Sequence, residues 1–300
     1  MKVSVKNKDG FKEKVFNLYE KPSVTMDIVL FTLGEKESDT LGRKNKEKEL
    51  KILLVKENKD FSTTEWRVPG GFLRADENLY ERVQKKIKKV SGIDDIYFEQ
   101  LYTWGDTNTS LDKRVISISY MGLINNKRLK ENIENDNVAW FSVKKESIDK
   151  QKISNKEVRY KYRISLINEE RKVIIKYDLI EKIKIRAFDR EISYEYNASI
   201  GEDLLTFDYL KVIDYAIERM KNKVQYTAIA FSLLPKLFTL TELQQVYEIL
   251  LGRKLIKSNF RRWVSKIVEE TDKTKKEGAH RPSRLFKLKN EAIIDGVINI

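Results

Sequence analysis

Residues 66–93 read WRVPGGFLRADENLYERVQKKIKKVSGI, and the passage from strand to helix within them decides how the chain around them folds. Trp66-Arg67-Val68-Pro69 ends a strand, and Gly70-Gly71 permits a tight backbone turn directly after it. Beyond the turn, Leu79, Val83, Ile87 and Val90 recur at the spacing of one apolar helical stripe that Gly92 terminates. On a wheel turning about 100° per residue, Lys86 falls beside that stripe. Arg82, Lys86 and Lys89 share one edge of the helix, whereas Lys88 points to the opposite, solvated side.

The spacing resembles the Nudix box: glycine, five residues, glutamate, seven residues, then Arg-Glu-aliphatic-x-Glu-Glu-x-Gly-aliphatic. Gly71, Glu77 and Lys85 to Ile93 keep that frame, but Lys85 stands for the arginine, Lys86 and Lys89 for two glutamates, and Val90 for the third. Nudix hydrolysis needs clustered carboxylates that hold Mg²⁺, which neutralises the pyrophosphate and generates the attacking hydroxide. Lysines repel such an ion, and the surviving pair Glu77 and Glu81 reads more readily as a solvated helix edge than as a metal site. An ammonium at Lys86 would instead pair directly with a phosphate, keeping binding while losing hydrolysis. The expected ligand contacts are Arg67, Gly70, Gly71, Phe72, Glu77, Arg82, Lys86 and Lys89, with Asp112, Arg114 and Trp104 downstream. Trp104 is read either as a stacking surface for an adenine or ribose or as core. No catalytic residue, metal ligand or required cofactor is expected.

Working outward, "SVTMDIVLFTL" (Ser23 to Leu33) and "LKILLVKE" (Leu50 to Glu57) read as strands joined by a polar hairpin loop. "RVISISYMGLI" is a further strand, and "VAWFSV" a short one. Strand, strand, loop, helix, strand, strand is the α/β order of a Nudix domain, a mixed sheet with flanking helices. From about 150 to 200, three alternating stretches read as an inserted antiparallel β-meander. "LLTFDYLKVIDYAIERMKNKV" is an amphipathic helix that closes the first domain, giving expected domains of 1–223 and 224–300.

The second domain opens with "TAIAFSLLPKLF", read as a helix stopped by Pro235. Thr239 and Glu242 form a T-x-x-E capping box for "TELQQVYEILLG". "SNFRRWVSKIVEE" follows as a helix with Phe260, Val264 and Ile267 inward, and then a hairpin with its tip near Gly278. Helix, helix, helix, hairpin is a winged helix-turn-helix. The amino-terminal part of the second helix of that motif normally enters the major groove, which puts Ser258, Asn259, Arg261 and Arg262 nearest the base edges and Lys257 at the backbone. Lys266 and Thr241 are further contacts, and Lys275, Lys276, His280, Arg281 and Arg284 sit on the wing for phosphate or minor-groove contact.

Charge supports that division. The net charge is +13, and residues 241–290 hold thirteen Lys/Arg against six Asp/Glu, so about half the excess falls in one sixth of the chain. The 300 residues hold no cysteine and one histidine, which excludes disulfides, thiolate metal sites and a multi-histidine centre. No apolar run suggests a signal peptide or a membrane span, so a cytoplasmic protein is expected.

Both halves together resemble the Nudix-related transcriptional regulators of the NrtR family. The resemblance rests on "KPSVTMD" (Lys21 to Asp27), "WRVPGGF", "LYTWGD" (Leu101 to Asp106) and "YTAIAFSLLPKLFTLTELQQVYEILLGRKLIKSNFRR" (Tyr226 to Arg262). It implies a homodimeric repressor, or sometimes activator, on a pseudo-palindromic double-stranded DNA operator. Its Nudix domain would sense ADP-ribose or a related NAD metabolite and so control NAD-metabolism genes. The segment after "WGD", often arginine-rich in the family, is here "TNTSLDKR", where Asp112 and Arg114 are the candidates to replace it. Three other readings stay open: a regulator of sugar use, such as arabinose, with the same architecture; an atypical ADP-ribose hydrolase; and an RNA-binding module.

Overall fold

Strand β1 (Ser23–Glu35) runs through the middle of a mixed sheet, and its eight consecutive buried residues, 26–33, explain why its sequence is an apolar run rather than an alternation. The computed structural model describes residues 22–36, 47–60, 63–105, 114–129, 137–198, 204–205, 209–276 and 282–290. Met26, Ile28 and Leu30 face helix α1 (Leu79–Ser91) and pack on Val83, Ile87 and Val90. Val29, Phe31 and Leu33 face the other way, toward helix α2 (Tyr209–Lys223). Period two along the strand thus builds two cores on one sheet.

β1 pairs antiparallel with β2 (Lys48–Asp60) and parallel with β6 (Val115–Ile124), which pairs with β5 (Tyr97–Trp104). Two short strands, β3 (Thr63–Arg67) on β2 and β4 (Gly70–Phe72) on β1, bring the Gly-Gly turn against the sheet centre. On the other flank β2 pairs with β7 (Val138–Ser154), followed by β8 (Glu157–Asn168), β9 (Val173–Ile185) and β10 (Arg190–Ala198). "VAWFSV" is therefore the start of a 17-residue strand. The expected meander is no separate layer: β7 pairs β2 over Val138 to Ser142 and β8 over Ser142 to Ser154, so the insert lengthens the same sheet. A two-residue strand, β11 (Leu204–Leu205), lies parallel to β3.

Helix α1 begins at Asn78, whose side chain accepts from the backbone N–H of Tyr80 at 2.9 Å, and ends at Gly92 with φ 69°. Helix α2 buries Leu210, Ile213, Ala216 and Met220, together with one charge, Asp214. Lys145 of β7 meets Asp214 at 2.6 Å and Glu218 at 3.0 Å, tying helix to sheet.

After α2 the chain forms a 3-10 segment of about two turns over Ala228–Leu233, where a helix was expected; it ends ahead of Pro235 and the Phe238 bridge. The capping box forms as read: the Thr239 hydroxyl accepts from Glu242 N, and the Glu242 carboxylate accepts from Thr239 N at 2.8 Å, opening α3 (Leu240–Leu251). Helix α4 (Lys257–Val264) is shorter than expected. Val268 leaves the helix pattern to pair with Leu288, joining β12 (Val268–Lys275) to β13 (Ser283–Leu288). Phe238 exchanges two backbone bonds with Phe286, at 3.0 and 2.8 Å, and fastens this hairpin to the start of α3. Leu243, Val246, Tyr247, Phe260 and Val264 belong to the same apolar cluster as Val29 and Phe31, so the core is continuous across Lys223. The hairpin tip at Gly278 and most of the polar stretch between β1 and β2 lie outside the described residues. Among the described residues no helix is long and apolar enough to cross a membrane.

Candidate functional site

Asp27, on β1, is the floor of the site around the Gly-Gly turn. It is 5% exposed, and it accepts hydrogen bonds from Ser117 of β6 and from the Tyr209 hydroxyl at 3.2 Å. Arg67 and Lys86 act on it electrostatically. Burial nevertheless pushes its carboxyl up from the ordinary value, against the pull of those donors and cations. Gly70 sits directly opposite Asp27, and a Cβ there would come within 2.3 Å of the Asp27 carboxylate and 2.7 Å of the Met26 carbonyl. Gly71 has φ 153°, a conformation L side chains rarely adopt. These two glycines let the loop lie flat on the charged floor.

Helix α1 supplies the cations. Lys86 is half-buried beside its apolar stripe; burial first, then Arg67, Lys89 and Arg82, push its ammonium down from the usual lysine value. The structure therefore brings the Arg82, Lys86 and Lys89 grouped by the helical wheel near Arg67, a candidate contact from the strand before the Gly-Gly turn, with Lys89 remaining exposed. Glu77 is committed to scaffold contacts: it accepts from Arg74 N and from Arg82 Nη1, each at 3.2 Å. Glu81 is exposed, and Lys88 pairs outward with Asp94 at 3.0 Å. Arg67 and Lys86 thus flank the sunken carboxylate, with Arg82, already paired to Glu77, and the exposed Lys89 beside them. Such a site favours an added anion.

Other expected contacts lie apart. Phe72 is exposed at the end of β4, and Arg114 is exposed before β6, where its carbonyl accepts from Ser23 N. Asp112 lies outside the described residues. Trp104 donates from Nε1 to Ser119 at 2.7 Å, on the α2 side of the sheet. Sequence reading missed Asp27, Ser117 and Tyr209. The available signal was Asp27 itself, a lone carboxylate inside an apolar strand run.

In the second half, Lys257, Ser258, Asn259, Arg261 and Arg262 are all exposed on α4, while Phe260 and Val264 are buried and Trp263 packs edge-on to Tyr247 at 5.2 Å. Arg262 reaches Asn259 at 3.3 Å, and Ile256 provides no side-chain cap at the helix start. Thr241, Lys266 and Lys276 are exposed. Lys275 is drawn inward and bonds the capping residue Glu242 at 2.8 Å, whereas Arg284 stays exposed and pairs with Glu270 across the hairpin. His280 and Arg281 lie outside the described residues.

A Nudix-like sheet with an anion-seeking cluster, continuous with a basic winged helix, defines a ligand-responsive DNA-binding regulator. Residues 230–288 match the NrtR DNA-binding winged helix domain. The chain is 28% identical over 274 residues to the "ADPR responsive transcriptional repressor NtrR" of Acinetobacter baylyi, covering 90% of this chain and 83% of that one. Two solved structures share its fold: a MutT/nudix family protein from Enterococcus faecalis (TM-score 0.63, 24% identity, 95% and 94% of the two chains) and Shewanella oneidensis NrtR complexed with a 27mer DNA (TM-score 0.57, 23% identity, 92% and 97%). Residues 230–288 are thus an NrtR-type winged helix, and the chain as a whole is similar to Nudix-related regulators of the NrtR family.

Proposed function

We propose that the protein represses NAD-metabolism genes and is released from, or held on, its operator by ADP-ribose or a related nucleotide bound at the Asp27–Lys86 site without hydrolysis. The observation that carries this is the gathering of Arg67, Arg82 and Lys89 around half-buried Lys86 beside the Gly-Gly turn, a concentration of positive charge that suits a diphosphate in place of a metal ion. The relative's description as ADPR responsive and as a repressor supports the same effector and sign. On this reading residues 1–223 sense, residues 224–300 bind DNA, and two copies act on a pseudo-palindromic site, because one short recognition helix reads only a half-site.

Lys86→Glu is the direct test. Loss of a charge-assisted contact is worth about 1.5–3 kcal/mol, hence roughly ten-fold or more in ADP-ribose affinity by calorimetry. Because burial and neighbouring cations depress the Lys86 ammonium, wild-type affinity should also decline as pH rises through that lowered value, and Lys86→Met should flatten the decline. Equal affinity of wild type and Lys86→Glu would remove Lys86 from the site, and Mg²⁺-dependent release of AMP from ADP-ribose would make the protein a hydrolase.

Reading and positioning separate in the winged helix. Arg262→Ala should cost about 1–3 kcal/mol on the operator and relax preference at one base. Lys276→Ala should weaken all duplexes alike and make the salt slope shallower by about one. Fluorescence anisotropy against operator, random duplex and RNA measures both; an equal loss on operator and random DNA for Arg262→Ala would assign base reading elsewhere. Light scattering that gives a monomer, with footprints on one asymmetric site, would refute the two-copy arrangement.

A further inference from the structure

Beside α2 there is a second cavity, about 500 Å³, that the anion site does not use. One wall is a stripe of α2, where half-buried Lys211, exposed Tyr215 and half-buried Arg219 follow at i, i+4 and i+8. The facing wall is the end of β5, where Tyr102 and Trp104 project from the same side of the strand. The rings of Tyr102 and Trp104 lie 4.6 Å apart, Tyr215 stands 5.3 Å from Tyr102, and Trp104 meets Tyr215 nearly perpendicularly at 5.7 Å. Tyr102 is 47% exposed and Tyr215 36%, so large aromatic faces are left open to the trough. Trp104 is fixed by its bond to Ser119, and the Lys211 ammonium lies 4.9 Å from its ring centre.

Position links this trough to the charged floor. Ser119 pairs in register with Asp27, and Trp104 with Ser117, the residue that donates to Asp27. Two strand spacings separate β1 from β5, about 10 Å. Along α2, Tyr209 and Tyr215 are six residues apart, about 9 Å of helix rise, with Lys211 between them. Asp27, Tyr209, Lys211 and the open aromatic surface therefore follow one another on the α2 side of the sheet, while Lys86 acts on the same floor from α1, which packs on the other face.

We propose that the trough between α2 and the end of β5 is a stacking site for a flat heteroaromatic base, with Tyr102, Trp104 and Tyr215 as its walls. A nucleotide effector is then held at two points, its phosphates toward Arg67 and Lys86 and its base laid on the open faces of Tyr102 and Tyr215, with Lys211 beside the bridging phosphate. This rests on the nucleotide reading above, and it assigns discrimination for a base, as opposed to a sugar phosphate, to residues remote from the Nudix helix.

The test uses the full chain, with AMP and ribose 5-phosphate as probes alongside ADP-ribose, titrated by calorimetry into wild type, Tyr215→Ala and Tyr102→Ala. Both rings are partly exposed, and each variant is first checked for an unchanged melting transition. AMP and ADP-ribose affinity should fall about five-fold or more in each variant, while ribose 5-phosphate affinity stays unchanged. AMP that fails to bind wild type at millimolar concentration, or binds the variants equally well, overturns the proposal. So does an equal loss of ribose 5-phosphate, which would give the rings a structural role, or a change of molecular mass with AMP affinity intact, which would give them to a protein contact. ADP-ribose binding that responds to Lys86→Glu but to neither tyrosine variant sinks the stacking site and leaves the proposed function standing. Absence of ADP-ribose binding sinks that function, while the AMP titrations still judge the trough.

Discussion

Lys145→Met is expected to destabilise the protein by about 3 kcal/mol or more, because it strands a buried carboxylate. Lys145 lies at 2.6 Å from Asp214, which is 3% exposed, and the Tyr196 hydroxyl donates to the same carboxylate at 3.4 Å. Once the ammonium is gone, one neutral donor must support a charge in an apolar setting. Burial already raises the Asp214 carboxyl above its ordinary value, and losing Lys145 raises it further. A group raised in the folded state favours folding below its unfolded pKa and loses that contribution as pH rises through the folded one. The variant's deficit should therefore be small in acid, below the usual carboxylate range, and widen upward through the raised Asp214 value. Denaturant unfolding at several pH values measures it. The double variant Lys145→Met, Asp214→Leu should recover most of the loss, since an apolar pair of similar volume replaces a buried ion pair at little cost. A single variant as stable as wild type at neutral pH would mean that water reaches Asp214.

Phe238→Ala is expected to cost about 3–5 kcal/mol, the range for emptying a buried aromatic position. The ring is 2% exposed and lies 5.5 Å from Phe231, while its backbone carries both bonds to Phe286. The cavity opens where the wing, the start of α3 and the 3-10 turn converge. Operator affinity should fall with stability, and nucleotide affinity at 25 °C should hold while the chain stays folded. Because the core runs without a break past Lys223, heating should give one transition shifted downward. Two separate transitions in calorimetry would contradict a shared core.

How much of this was legible in the sequence depended on how local the signal was. The Nudix helix, its Gly92 stop and the Thr239–Glu242 box were legible because caps and apolar stripes are decided within a few residues. The 3-10 turn and the early end of α4 were not, because each is settled by a distant partner: Phe286 pairs with Phe238, and Leu288 with Val268. The same holds for the 150–200 strands, whose alternation revealed pairing but not the strand they would extend. At the site, the helical wheel sorted the lysines correctly because Lys86 and Lys88 differ by a local angle. Asp27 and Tyr209 escaped notice because 182 residues separate them, and only the folded sheet makes them neighbours.

Helix α2 has one end at the charged floor, through Tyr209, and at the other runs through Lys223 and Val224 into the 3-10 turn that precedes α3. One element thus touches both regions, and any coupling it carries is reciprocal by thermodynamic necessity. Whatever factor the effector takes from operator affinity, operator DNA must take from effector affinity, and a coupling free energy of typical size, about 1–3 kcal/mol, makes that factor roughly 5 to 150. An effector that releases the operator therefore acts less readily on operator-bound protein than on the free pool, and one that holds it there acts more readily. The concentration at which the switch responds is set jointly by nucleotide supply and by how many operators the protein occupies.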